Sequence, residues 1–158
     1  MGILSEDMKR MIREQWLSYV ATVCPDGTPN LSPKGTTAVW DDDHLVFADK
    51  RSPGTTANLR LNPSVEINVV DAIVRKGYRF KGTATILESG SLFDELLTFY
   101  EHRNPSNHNR IQAVVLVKVV RALPLVSPEY DTGMTEEEVR SKWQKYYRAI
   151  YFREQSDS

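Results

Sequence analysis

Cysteine is almost absent from this sequence, since Cys24 is the only one among 158 residues. No disulfide can form within the chain, and a secreted domain of this size more often carries paired cysteines, so we expect a cytoplasmic protein. Apolar runs are short, and none approaches the roughly 20 residues that span a bilayer, so no membrane partner is expected. The formal net charge of -1 provides no basic field for nucleic acid. Any anion site must therefore be local.

Length and composition fit one globular domain. The chain is 41% hydrophobic and 26% charged, and it is long enough to bury a core. We predict a single domain over residues 1–158. It comprises an N-terminal helix over 1–18, a barrel over 19–122 and a C-terminal helix over 135–152.

Extended, β-branched segments dominate the middle of the sequence. The turns at 25–28 and 41–44 are too short for helical crossovers, which predicts antiparallel neighbours. Gly82 interrupts a long alternating segment and indicates a bulge or a close backbone approach. We predict a mainly β fold, a six-stranded antiparallel barrel with peripheral helices, with strands at 19–23, 29–40, 45–48, 65–69, 78–86 and 113–120.

Helix signals occur at four places. Ser5 is a suitable N-cap for a first helix, and Ser52 with Pro53 opens a short second one. An amphipathic pattern over 92–100 predicts the third. Thr135 and Glu138 form a capping box that begins the last helix. Apolar residues recur at helical spacing in the first helix (Met8, Met11, Ile12, Trp16 and Tyr19) and in the last (Val139, Trp143, Tyr146, Tyr147 and Ile150).

The stretch LVFADKRSPGTTANLRLNP, residues 45–63, is the most informative. A buried strand leads through Lys50 and Arg51 into a helix start that carries Gly54, Thr55 and Thr56. Free N–H groups and the dipole at a helix start attract anions, and hydroxyls with nearby cations complete a phosphate cradle. Taken alone, the pattern is more typical of a capped surface helix with polar residues in its first turn.

Four segments in this order resemble the FMN-binding pyridoxamine-phosphate-oxidase-like superfamily. They are ATVCPDGTPNLSPKG at 21–35, VFAD at 46–49, TTANLRLNP at 55–63 and GYRFKGTATI at 77–86, and the resemblance covers roughly residues 10–125. The resemblance implies a six-stranded split barrel that works as a homodimer. FMN would lie between the subunits, with its phosphate against the strand-to-helix turn.

The resemblance also implies which residues hold the cofactor. Thr55 matches the family's phosphate-binding threonine, and Ala48 with Asp49 matches the strand-end pair beside the cofactor. Asn58 matches a helix asparagine whose expected role is structural. The implied cofactor-binding residues are Ser32, Pro33, Lys34, Ala48, Asp49, Arg51, Gly54, Thr55, Thr56 and Arg79.

The sequence departs from the family pattern in two ways. Gly54 stands where many members carry lysine or arginine, so Lys34, Arg51 or Arg79 has to balance the phosphate charge, and we favour the first two. True pyridoxamine-phosphate oxidases also carry an Arg-x-His pair, and no histidine here lies two residues after an arginine. Vitamin B6 oxidation is therefore not the expected activity.

Three functions fit this sequence. The first is an FMN-dependent oxidoreductase of unknown substrate, for which no residue stands out as a catalytic acid or base. The second is a flavin carrier or sensor without turnover. The third keeps the fold but binds haem or the deazaflavin F420, with His44, His102 or His108 as candidate haem ligands. No histidine has partners at metal-ligand spacing, so no metal ion is expected.

Overall fold

The computed structural model describes residues 2–105 and 110–152. Strands dominate the first three quarters of the chain, and a helix ends the described part. In chain order the elements are α1 (Glu6–Glu14), β1 (Ser18–Val23), β2 (Pro29–Lys34), β3 (Ala38–Val39), β4 (His44–Asp49), α2 (Pro53–Leu61), β5 (Ser64–Asp71), β6 (Lys76–Leu87), α3 (Ser91–Arg103), β7 (Ala113–Val126), a 3-10 helix (Pro128–Thr132) and α4 (Glu136–Tyr151).

The strands form one antiparallel sheet in the order β2-β1-β5-β6-β7-β4-β3. Its two edge strands, β2 and β3, are consecutive in the chain, and only residues 35–37 separate them. A link this short spans at most about 14 Å, so the two edges must lie close together. The sheet therefore curls into a split barrel, which confirms the predicted architecture.

The strand count differs from the prediction, since the sheet has seven strands and not six. The segment predicted as one strand over 29–40 breaks at 35–37. There the Thr36 hydroxyl accepts from the Ala48 N–H at 3.0 Å, and the Ser18 and Thr37 hydroxyls lie 2.6 Å apart. These side-chain contacts take the place of backbone hydrogen bonds at 35–37. The pairing of β2 with β1 therefore ends at Lys34, and the pairing of β3 with β4 begins at Ala38.

Two apolar clusters fill the fold. The larger lies inside the barrel, where Phe47, Ile67 and Phe80 are fully buried, and α1 covers it with Met11 and Ile12. The smaller lies between α3 and the outer face of β4 and β7. Its buried members are Ala38, Val46, Ala48, Leu96, Tyr100 and Val114.

The bulge expected at Gly82 is present. The register between β6 and β7 shifts between Lys81 and Gly82. A Cβ atom at Gly82 would lie 2.5 Å from the Lys118 carbonyl oxygen, a distance that real Cβ atoms do not tolerate. Gly82 is therefore required by close backbone approach.

The first helix is shorter than the predicted 1–18. It ends at Glu14 because Gln15 already has extended backbone angles and Ser18 joins the sheet opposite Lys34. Trp16 therefore lies in the connection, 55% exposed, and Tyr19 lies in β1. The capping box of Thr135 and Glu138 is present at α4. No helix in the described ranges is long and apolar enough to span a membrane.

Candidate functional site

The site begins where β4 ends. The Asp49 side chain is buried, and its Oδ1 atom accepts the Ser52 backbone N–H at 2.7 Å. The Asp49 carbonyl oxygen accepts the Gln112 N–H at 3.1 Å. These two bonds fix the loop at residues 50–52, which carries Lys50 and Arg51 toward the start of α2.

Lys34, the last residue of β2, reaches the same loop. The residue is only 6% exposed, and its ammonium group donates a hydrogen bond to the Ser52 hydroxyl. Burial lowers the pKa of Lys34, an effect that the nearby Asp49 carboxylate opposes. Within the described residues no carboxylate oxygen lies within 4.0 Å of the Lys34 Nζ atom, so this partly desolvated cation has no ion-pair partner.

The start of α2 is only partly satisfied from within the chain. The N–H groups of Thr55 and Thr56 both donate to the Ser52 carbonyl oxygen, at 3.0 and 3.3 Å. The Ser52 side chain does not cap the helix, and no acidic residue lies in its first turn. In the described part of the chain, the Gly54 N–H has no hydrogen-bond partner.

The two threonines of the first turn differ in their hydroxyl groups. The Thr56 hydroxyl donates to the Pro53 carbonyl oxygen at 3.3 Å and is used within the helix. Thr55 is 2% exposed, and its hydroxyl has no partner among the described residues. Gly54 is exposed, with nothing within 4 Å of the place where a Cβ would stand. A ligand or a longer side chain therefore has room at Gly54.

A basic groove of about 520 Å³ opens beside this corner. Its described lining residues are Lys50, Arg51, Arg110 and Gln112, three cations and one amide with no carboxylate among them. Sequence reasoning missed Arg110, which lies nearly fifty positions after the end of α2. It reaches the groove because β7 begins opposite the end of β4, with Ala113 paired to Asp49.

A second pocket of about 320 Å³ adjoins the groove and shares Lys50 with it. Trp16 and Arg103 form one wall, with the guanidinium carbon 5.0 Å from the indole centroid. Tyr100 lines the pocket and donates from its hydroxyl to the Thr36 carbonyl oxygen at 2.9 Å. Burial strongly raises the pKa of Tyr100, so its phenol stays protonated. Sequence analysis assigned neither Trp16 nor Arg103 to the site.

Of the remaining predicted residues, three lie at or near the corner and Arg79 lies away from it. Ala48 lies within the corner, since its backbone bonds the Thr36 hydroxyl. Ser32 and Pro33 lie on β2 just before Lys34. Arg79 is separated from β2 by strands β1 and β5, so one chain alone does not bring it to the corner. It forms an ion pair with Glu66, with 2.8 Å between Nε and Oε1, although the geometry is not that of a hydrogen bond.

The candidate haem ligands are engaged elsewhere or fall outside the described residues. His44 lies 2.8 Å from Asp41 in the turn before β4, and the His102 Nδ1 atom lies 2.8 Å from the Thr98 carbonyl oxygen. His108 is outside the described ranges. In residues 2–105 and 110–152, no group of three or more His, Cys, Asp or Glu side chains could hold a metal ion.

Comparison with known proteins identifies the family. A family model described as pyridoxamine 5'-phosphate oxidase matches residues 4–123. The chain belongs to the pyridoxamine 5'-phosphate oxidase family. The match covers all seven strands apart from the last three residues of β7, and it does not include α4. No curated protein sequence matches the chain.

Solved structures share the family fold. HupZ of Group A Streptococcus is 32% identical over 78% of this chain and 94% of its own, with a TM-score of 0.70. An FMN-binding protein from Syntrophomonas wolfei is 20% identical over 78% of this chain and 87% of its own, with a TM-score of 0.67. HutZ, the haem storage protein of Vibrio cholerae, is 20% identical over 78% and 94%, with a TM-score of 0.61. Proteins of this fold therefore bind different cofactors.

Proposed function

We propose that this member of the pyridoxamine 5'-phosphate oxidase family binds FMN and works as an oxidoreductase on a substrate other than vitamin B6. The observation that carries the proposal is the Lys34 ammonium group, which has no carboxylate of the described residues within 4.0 Å and lies beside the start of α2, where Ser52 provides no side-chain cap. Burial lowers the pKa of Lys34 and the nearby Asp49 carboxylate offsets only part of that effect, so an anion bound next to the ammonium group would stabilise its charged form.

The chemistry of the donors fits a phosphate group. Lys34, Lys50 and Arg51 provide positive charge. Among the described residues, neither the Gly54 N–H, at the positive end of the helix dipole, nor the Thr55 hydroxyl has a hydrogen-bond partner. Phosphate oxygens accept hydrogen bonds from all of these groups. Lys34 and Arg51 replace the charge that other members place at the position of Gly54.

Each part of the site has a separate role in this proposal. The corner at α2 would hold the phosphate, and Ser32 and Pro33 of β2 would contact the flavin. Bound FMN supplies the redox chemistry by accepting a hydride and passing electrons to an acceptor. The pocket lined by Trp16, Arg103 and Lys50 is large enough for a small substrate, and its two cations favour an anionic one. This adjoining pocket favours an enzyme over a carrier.

The proposal includes a homodimer with the cofactor between the subunits. Exposed apolar side chains lie on the outer face of the sheet, among them Tyr19, Leu31 and Val70. The Asn68 Oδ1 atom and the Arg79 Nε atom are buried there without hydrogen-bond partners in the described part of the chain. A second barrel packed on this face would cover the apolar groups and bring Arg79 of one chain toward the cofactor of the other.

Absorbance spectra of the purified protein test the cofactor assignment. We expect flavin bands, in the protein as isolated or after reconstitution with FMN, and release of FMN on denaturation. A haem spectrum, or no flavin binding after incubation with FMN, would contradict the proposal. Oxidation of NADPH by the FMN-loaded protein then separates an enzyme from a carrier, because a carrier holds flavin without turnover with any donor.

A further inference from the structure

The corner at α2 and the cavities beside it carry more positive charge than one phosphate group needs. The cations among the described residues there are Lys34, Lys50, Arg51, Arg103 and Arg110. Within the described ranges, none of the five has a carboxylate oxygen within 4.0 Å. The FMN phosphate, with a charge of about -2, would be balanced by Lys34 and Arg51. Three cations are then left without a counter-ion.

The three remaining cations line two adjoining cavities that form one cleft. Arg110 lines the basic groove of about 520 Å³, Arg103 lines the second pocket of about 320 Å³, and Lys50 lines both. Gln112 adds an amide to the groove. No carboxylate is among the described lining residues of either cavity. The cleft therefore combines room for an organic molecule with a positive charge that an anionic ligand would balance.

The two ends of the cleft differ in chemistry. The second pocket includes Trp16, Tyr100 and Ile111, whereas the described lining of the groove is entirely charged or polar. Trp16 is 55% exposed, so part of its indole ring is open to a ligand. The Arg103 guanidinium carbon lies 5.0 Å from the centroid of that ring and orients it. A ligand that fits both ends carries a planar ring at one end and several anionic groups at the other.

An adenine nucleotide with more than one phosphate group has this composition. Its base stacks on indole rings and on guanidinium groups. A terminal phosphate accepts paired hydrogen bonds from an arginine, and lysine binds a phosphate as a point charge. A small aromatic acid would fill only the second pocket and leave Arg110 in the groove without a counter-ion. The cleft therefore favours a nucleotide over a small acid.

The proposed function provides a reason to bind such a nucleotide, because a flavin that passes electrons to an acceptor needs a donor. NADPH contains adenosine with a phosphate on its 5' oxygen and a terminal phosphate on its 2' oxygen, and NADH lacks the second of these. We propose that the cleft binds the adenosine 2',5'-bisphosphate part of NADPH. The adenine stacks on Trp16, the 5'-phosphate pairs with Lys50 and the 2'-phosphate pairs with Arg110. This inference rests on the proposed function for the role of NADPH as electron donor.

Isothermal titration of the FMN-loaded protein with adenosine 2',5'-bisphosphate and with 5'-AMP, at fixed ionic strength, tests the site without electron transfer. We expect the bisphosphate to bind about tenfold more tightly than 5'-AMP, because only the bisphosphate reaches Arg110. Arg110→Gln should remove this difference. Arg121→Gln, which removes an exposed arginine from β7, should preserve it. Trp16→Ala should weaken both nucleotides by a similar factor of about ten.

Three results of these titrations would overturn the proposal. The first is that the bisphosphate does not bind at millimolar concentration. The second is that Arg110→Gln and Arg121→Gln bind the bisphosphate with equal affinity. The third is that Trp16→Ala binds both nucleotides as tightly as the parent protein, since no base would then stack on the indole ring.

Steady-state oxidation of NADPH and NADH gives a second readout. Arg110→Gln should raise the KM for NADPH by about tenfold and leave kcat unchanged, because the lost contact is made equally in the ground state and the transition state. The KM for NADH should not change. Flavin absorbance of the same samples keeps the two proposals apart. A protein that retains FMN but does not bind the bisphosphate contradicts only this inference, and a protein that does not retain FMN can still be titrated with the bisphosphate.

Discussion

The Lys34 ammonium group donates a hydrogen bond to the Ser52 hydroxyl, which lies 18 positions further along the chain. This bond joins the end of β2 to the start of α2. It also engages the serine that would otherwise cap the helix, and a missing cap costs about 1 kcal/mol. The chain thus keeps a buried cation and an uncapped helix start side by side, an arrangement that an anion stabilises.

Replacing Lys34 with methionine should weaken FMN binding without lowering the stability of the protein. The substitution removes a poorly solvated charge, so we expect the melting temperature to stay the same or rise. FMN affinity should fall by about tenfold to a hundredfold, because a charged hydrogen bond contributes roughly 1.5–3 kcal/mol. Calorimetric melting and FMN titration check the two effects. Lys118→Met removes an exposed lysine from β7 and should leave affinity unchanged. Equal affinity in both variants would contradict the assignment.

Thr55 and Thr56 provide a matched pair of hydroxyl deletions. Thr55→Val should weaken FMN binding by roughly tenfold, because that hydroxyl has no partner in the described chain and is assigned to the phosphate. Thr56→Val removes a hydroxyl already bonded to Pro53, so it should leave FMN affinity unchanged. Fluorescence titration of flavin measures both. If the two variants bind FMN equally well, Thr55 does not contact the phosphate.

Gly54→Arg should strengthen FMN binding. Nothing lies within 4 Å of a Cβ at this position, so the side chain enters without strain and adds a cation at the helix start. We expect a gain of roughly tenfold in affinity at low ionic strength, and a smaller gain at high salt. Gly54→Ala is the control for the backbone change. A gain of the same size in Gly54→Ala would exclude a charge effect.

Gly82→Ala tests the close approach of β6 and β7. The added methyl group would lie 2.5 Å from the Lys118 carbonyl oxygen, so the two strands must separate. We expect the free energy of unfolding to fall by about 1–3 kcal/mol in a urea titration. Gly54→Ala, in open space, should cause no comparable loss. A Gly82→Ala protein as stable as the parent would show that the strands adjust freely.

Much of the fold could be predicted because strand alternation and turn residues are local signals. The break at 35–37 could not, since it depends on the Thr36 side chain replacing a backbone partner of Ala48, which lies twelve residues away. Trp16 was assigned to the first helix by spacing alone. Sheet pairing at Ser18 ended that helix early and left the ring exposed.

The candidate site could be proposed from the sequence only where its residues are continuous in the chain. Residues 45–63 carry the strand, the loop and the helix start together, so Lys50, Arg51 and Thr55 could be named in advance. Arg103 reaches the second pocket from α3, and Arg110 reaches the groove because it lies just before β7; both placements depend on long-range packing. The separation of Arg79 from Lys34 depends on strand order, which periodicity does not reveal.

Comparison of FMN with riboflavin tests the central claim most directly. The two ligands share the ring and differ only by the phosphate, which this account places against Lys34, the Gly54 N–H and Thr55. Isothermal titration of the flavin-free protein should give a dissociation constant for FMN at least about a hundredfold lower than for riboflavin, a difference of roughly 2.7 kcal/mol. Equal dissociation constants for FMN and riboflavin would contradict the account.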